Sequence, residues 1–129
     1  AQQAYSEHQS ENVVAAIDAR MSEVYFGQYQ NSQGVMQLVG DEQVLPPEEA
    51  HQLIADNMTQ GVGTGWQAYQ ALNEQGKIKP LIDVLYPNAL YMLPLAKQLI
   101  EQGKAQHAED IQPVYLRDKV TWKKLPGRE

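Results

Sequence analysis

Residues Val13 to Tyr29 constrain the fold more than any other stretch. They read Val-Val-Ala-Ala-Ile-Asp-Ala-Arg-Met-Ser-Glu-Val-Tyr-Phe-Gly-Gln-Tyr. The run from Val13 to Ile17 is continuous in apolar residues, as expected of a strand covered on both faces. From Val24 the pattern alternates: Val24, Phe26 and Gln28 fall on one side, Tyr25, Gly27 and Tyr29 on the other. The polar break Arg20-Met21-Ser22 between the runs predicts an antiparallel hairpin at the centre of a sheet. Asp18 closes the buried first strand, a position where a carboxylate often faces a ligand crevice.

The remaining pattern extends this core. Asn31-Ser32-Gln33-Gly34 is a turn by composition, with Gly34 able to supply positive φ. Val35–Val39 reads as a third strand, ended by Gly40-Asp41-Glu42. Pro46-Pro47-Glu48-Glu49 starts a helix, with proline at the first helical position and carboxylates at the positive end of the dipole. Ala50, Leu53, Ile54 and Met58 give that segment one apolar face. Thr59–Val62 is a short strand candidate. It runs into Gly61-Val62-Gly63-Thr64-Gly65-Trp66 and a helical pattern through Trp66, Tyr69 and Leu72 that Gly76 ends.

Lys77–Pro80 reads as a loop, and Leu81–Leu85 as a buried strand with Asp83 inside it. Ala89, Met92, Leu93, Ala96, Leu99 and Ile100 form a helical stripe ending at Gly103. Pro94 must fall in its first turns or kink it. Ile111–Leu116 reads as an edge segment, because Pro113 cannot serve a central strand. The order β-β-β-α-β-α-β-α predicts an α/β domain, a mixed sheet flanked by helices. It divides into residues 1–11, the end of a helix or linker, a body at 12–116, and a tail at 117–129.

Charge separates the tail from the body. Residues 1–116 carry five basic against fourteen acidic side chains, a net of −9; residues 117–129 carry five against two, a net of +3. An acidic body repels phosphate backbones, whereas a basic tail can meet one. Arg117, Lys119, Trp122, Lys123 and Lys124 read either as a solvated terminus or as a base-stacking, phosphate-meeting clamp. No apolar run approaches the ~18 residues of a membrane-crossing helix. The absence of cysteine excludes disulfides, thiolate–zinc sites and a thiol nucleophile, and is compatible with a reducing cytoplasm. The opening Ala1-Gln2-Gln3-Ala4 lacks the features of a signal peptide and is expected of a piece cut from a longer chain.

No catalytic constellation emerges. His8, His51 and His107 belong to no metal-binding spacing, so no metal and no cofactor are expected. There is no Gly-x-Ser-x-Gly elbow. Asp18, Glu23 and Asp83 are the acid–base candidates, Asp18 foremost. It can equally accept N–H bonds from its own hairpin turn or pair with Arg20. Gly63, Thr64 and Gly65 can face an anion with their backbone N–H groups, or simply form a tight βα turn. The ending of a P-loop is missing.

Three stretches together resemble the TsaB (YeaZ) family. They are Ala16-Ile17-Asp18-Ala19-Arg20-Met21-x-Glu23-Val24-Tyr25, the turn Val62-Gly63-Thr64-Gly65-Trp66-Gln67-Ala68, and the ending Pro113-Val114-Tyr115-Leu116-Arg117-x-x-Val120-x-Trp122-Lys123-Lys124-Leu125-Pro126-Gly127. Met92-Leu93-Pro94-Leu95-Ala96 also fits. The resemblance covers the second half of the family protein. It implies the C-terminal lobe of an actin/Hsp70/sugar-kinase-like (ribonuclease H-like) fold. It further implies a cytoplasmic, non-catalytic scaffold in the making of threonylcarbamoyladenosine in tRNA. The implied partners are a catalytic TsaD-like paralogue, a TsaE-like ATPase and a second copy, with tRNA reached only through the complex. ATP-binding members of the superfamily follow their hairpin Asp with a Gly-rich turn, whereas Asp18 is followed by Ala19-Arg20-Met21-Ser22. That departure agrees with lost nucleotide chemistry and leaves Asp18, Gly63, Thr64 and Gly65 as a vestigial nucleotide site. Two other readings stand beside the scaffold: a nucleotide-binding or ATPase domain resting on Asp18 and the Gly61–Gly65 turn, and a glycoprotease-like peptidase.

Overall fold

The computed structural model describes residues 1–117. A short helix, α1 (Gln2–His8), leads into β1 (Asn12–Asp18), β2 (Val24–Ser32) and β3 (Val35–Leu45). Then come α2 (Pro47–Leu53), β4 (Gln60–Val62), α3 (Gly65–Ala68), β5 (Lys79–Pro80) and α4 (Leu93–Glu101). Three single 3₁₀ turns join them at Gln70–Asn73, Ala89–Met92 and Ala108–Asp110. The sheet order is β3-β2-β1-β4-β5. β1 pairs antiparallel with β2 from Asn12↔Gln30 to Asp18↔Val24, and parallel with β4 from Val13↔Gln60 to Ala15↔Val62. The sheet is therefore mixed, with the hairpin at its centre.

Central placement explains why the first strand is apolar throughout. Val14 and Ala16 pack with Val24, Phe26, Met58, Trp66 and Leu72 under α2 and α3. Val13 faces the other way, against Ala4 of α1, Met36, Val62, Leu81 and Val84. Val13, Val14 and Val24 are fully buried, each stabilising the fold by about 1.5–3 kcal/mol relative to exposure. α1 is tied down by Gln2, whose buried amide donates to the Gly34 carbonyl at 3.0 Å and accepts from the Met36 N–H at 2.9 Å. Gln9 takes a left-handed conformation and ends the helix.

The third strand does not stop at Gly40-Asp41-Glu42. Gly40 bends it at positive φ, and pairing resumes from Gln43 to Leu45. The register shifts around Gly27, where Phe26 faces Gln43 and Gln28 faces Val39. Such a bulge lets two strands of unequal length stay paired.

Three expected elements take a different form. The Leu81–Leu85 strand is absent, and the strand lies just before it, at Lys79–Pro80. Leu81 still donates to the Gly61 carbonyl at 2.8 Å, but the chain then turns, with the Val84 N–H on the Leu81 carbonyl. Leu81 and Val84 are buried three residues apart while Ile82 is 78% exposed, a turn's periodicity and not a strand's. The helix through Trp66 and Leu72 breaks at Tyr69, whose backbone is extended. Ile111–Leu116 forms no edge strand; Val114 is 82% exposed, and Pro113 brings no donor to a ladder.

The last helix forms as expected. Pro94 lies in its first turn, and Gly103 follows its end at positive φ. Its apolar stripe, however, is not core: Leu93 and Ile100 are 64% and 65% exposed. Among the described residues no helix is long and apolar enough to cross a membrane.

Candidate functional site: the hairpin mouth

The hairpin closes through Ala19–Glu23. The Ala19 N–H donates to the Glu23 carbonyl and the Glu23 N–H to the Arg20 carbonyl, both at 2.9 Å. Between them Arg20, Met21 and Ser22 all take left-handed backbones, at φ of 62°, 52° and 60°. None is glycine, so each carries a steric penalty that its neighbours must offset. Asp18 supplies part of the offset by accepting the Arg20 N–H on Oδ1 at 3.0 Å. Its carboxylate thus holds the turn, which was one of the two roles open to it from sequence. Its contact with Arg20 runs through the backbone N–H.

The Gly turn lies beside it. Thr64 Oγ1 accepts the Asp18 N–H at 3.0 Å, and the Tyr69 hydroxyl donates to Asp18 Oδ1 at 3.0 Å. The helix breaks at Tyr69, and the extended backbone there accompanies a hydroxyl that reaches the carboxylate. Hydrogen bonding to Asp18 raises the Tyr69 pKa, with burial and the carboxylate charge adding to it. Thr64 thus meets Asp18, while Gly63 and Gly65 lie against Ala16. The glycines have a specific reason to be there. A Cβ on Gly63 would lie 2.3 Å from the Ala16 carbonyl oxygen, and one on Gly65 would lie 2.9 Å from it. They let the turn pack onto the backbone of β1. α3 is only four residues long, which leaves little dipole to hold an anion.

Arg117 completes the mouth. Its Nη1 donates to the Ala19 carbonyl at 2.8 Å and its Nη2 to Glu23 Oε1 at 3.0 Å. Its guanidinium carbon lies 5.7 Å from the centroid of the Tyr25 ring. The side chain is 14% exposed. The first tail residue is thus folded into the hairpin. Lys119, Trp122, Lys123 and Lys124 lie outside the described residues.

The three acid–base candidates do not form one constellation. Asp18 holds the turn, Glu23 pairs with Arg117, and Asp83 meets His8 Nε2 at 2.7 Å. His51 is half-buried, with Nδ1 3.1 Å from the Leu72 carbonyl oxygen. Two features have no signal in the sequence. Ligand atoms of Glu7, His8 and Asp83 lie within 4.8 Å of one another. On the sheet face behind the hairpin, a cavity of about 210 Å³ is lined by Ala15, Ile17, Val62, Tyr86, Tyr91 and Met92.

No family model matches the chain. It is 49% identical, over its whole length, to the tRNA threonylcarbamoyladenosine biosynthesis protein TsaB of Haemophilus influenzae, and 45% identical to that of Escherichia coli. It spans 57% and 58% of their lengths. Among solved structures, YeaZ from Pseudomonas aeruginosa superimposes with a TM-score of 0.78 at 43% identity, covering 88% of this chain and 54% of that one. A second structure, a protein with similarity to peptidase YeaZ from Pseudomonas aeruginosa, gives 0.75 at 41%, covering 90% and 54%. The mixed sheet and its flanking helices fit one actin-like, ribonuclease H-like lobe.

Proposed function

We propose that this chain, which matches the TsaB family over its whole length, is a non-catalytic scaffold lobe of the cytoplasmic machinery that makes threonylcarbamoyladenosine in tRNA. The observation that carries this reading is the 45–49% identity to two TsaB proteins, sustained across the chain. The geometry supports the non-catalytic part. Asp18 is engaged with its own turn and Tyr69, and Gly63 and Gly65 are used up in packing on Ala16. Residues 12–116 are the lobe in this reading, 1–11 the end of the helix leading into it, and 117–129 the tail. Its partners are a TsaD-like catalytic paralogue and a TsaE-like ATPase. Reconstituting threonylcarbamoyl transfer from the full-length protein and those partners tests it: omission should abolish or sharply reduce transfer, and unchanged transfer would overturn it.

A nucleotide-binding role is the second reading, favoured by the exposed carboxylate of Asp18 beside Thr64. Calorimetry of the full-length protein with ATP and magnesium separates the two. Micromolar binding that disappears in Asp18→Asn would replace the scaffold by a nucleotide site. A peptidase gains no support: among the described residues no Ser or Thr hydroxyl is hydrogen-bonded to a histidine.

A further inference from the structure

We propose that Glu7, His8 and Asp83 form a binding site for a divalent cation of the zinc type. Sequence spacing hides it, because Asp83 stands seventy-five positions from His8. The fold brings one imidazole and two carboxylates together, with one ligand atom from each inside a 4.8 Å span. Two carboxylates and a neutral imidazole balance a double positive charge. A nitrogen donor beside two oxygens suits zinc, whereas magnesium and calcium favour oxygen throughout. Three protein ligands leave one tetrahedral position for water.

The ligands come from anchored elements. α1 is held by the buried Ala4 and by the two bonds of Gln2 to the β2–β3 turn and β3. Asp83 lies in the turn whose flanking Leu81 and Val84 are buried, and the Val84 carbonyl accepts the Gly63 N–H at 2.9 Å. Glu7 is oriented by the hydroxyl of Tyr91. Tetrahedral zinc with bonds near 2.0–2.1 Å separates its ligand atoms by about 3.3 Å. The 2.7 Å contact between His8 and Asp83 therefore opens by about 0.6 Å, which a small rotation of the half-exposed Asp83 supplies. The bound ion would staple α1 to the Leu81–Val84 turn, across the sheet face that holds the cavity.

The test is calorimetry and thermal unfolding of the native full-length protein with zinc chloride, beside His8→Ala, Asp83→Asn, Glu7→Gln and His107→Ala. Zinc should bind one to one and raise the melting temperature, reversibly on chelation, while magnesium at equal concentration should not. His8→Ala and Asp83→Asn should each weaken binding by at least about tenfold, and His107→Ala should leave it unchanged. Asp83→Asn and Glu7→Gln alter exposed groups, so loss of binding in a variant that still unfolds cooperatively is loss of a ligand. Absence of zinc binding to the unaltered protein, or equal affinity in His8→Ala and Asp83→Asn, would overturn the proposal.

Discussion

Arg117 donates a 2.8 Å hydrogen bond to the carbonyl oxygen of Ala19, ninety-eight positions earlier in the chain. The bond lands on the first residue of the turn that holds three consecutive left-handed residues. The same guanidinium pairs with Glu23 on the far side of that turn. Arg117→Ala removes both, and leaves the Ala19 carbonyl and Glu23 without their partner. The expected loss is about 2 kcal/mol of unfolding free energy by urea denaturation. Arg117→Lys should recover only part of it, because an ammonium cannot reach two acceptors as a planar fork does.

The glycine turn separates packing from ligand binding. Gly63→Ala places a methyl 2.3 Å from the Ala16 carbonyl oxygen and forces alanine to φ of +97°. Gly65→Ala meets the same oxygen at 2.9 Å, without the φ penalty. Expected losses are about 3 kcal/mol for the first and about 1–2 kcal/mol for the second. Equal stability of both variants and the parent, measured by thermal unfolding, would remove the packing role.

Tyr69 reports on Asp18. Its hydroxyl pKa is raised chiefly because it donates a hydrogen bond to that carboxylate. Asp18→Asn removes the charge and keeps the shape. The Tyr69 titration, followed by near-ultraviolet absorbance against a Tyr69→Phe control, should shift back down towards its ordinary value. An unchanged titration would mean that the two groups do not meet in solution.

Tyr29 gives a pH dependence with a definite sign. Burial pushes its hydroxyl pKa up from 10.0, and the bond to Glu42 and that carboxylate's charge push it further. The folded state therefore holds the proton more tightly than the unfolded state. Its contribution is fully present below pH 10.0 and is lost as pH rises towards the folded value. Tyr29→Phe should flatten this alkaline decline in unfolding free energy, and Glu42→Gln should reduce it.

Much of the fold was legible because one strand is buried on both faces. An uninterrupted run such as Val13–Ile17 has few other places to go, and the alternation after Val24 sets its partner's register. Legibility fails where a pattern has two physical solutions. Leu81 and Val84 suit a buried strand or a buried turn, and the apolar run alone does not choose between them. The stripe of α4 looks like any core-facing helix, since periodicity does not say whether something covers it. At the mouth, Asp18 and the Gly turn were found by residue type. Their role depended on where the Ala16 carbonyl points, which no local pattern encodes. Arg117 on Ala19 and His8 on Asp83 are contacts between distant segments and leave no trace in either one.

The long third strand forms one edge of the sheet, and Leu38 and Val39, on its two faces, are both exposed. A sheet edge invites a strand from another molecule to pair with it, the first step of aggregation. The bend at Gly40 and the adjacent carboxylates of Asp41 and Glu42 make that pairing awkward, by breaking the straight run and by setting like charges against each other in an antiparallel copy paired about Asp41 and Glu42. The segment that reads as a simple strand end in the sequence should therefore hinder pairing at that edge. Asp41→Asn with Glu42→Gln is the change that would expose the hazard, as light scattering that grows with concentration.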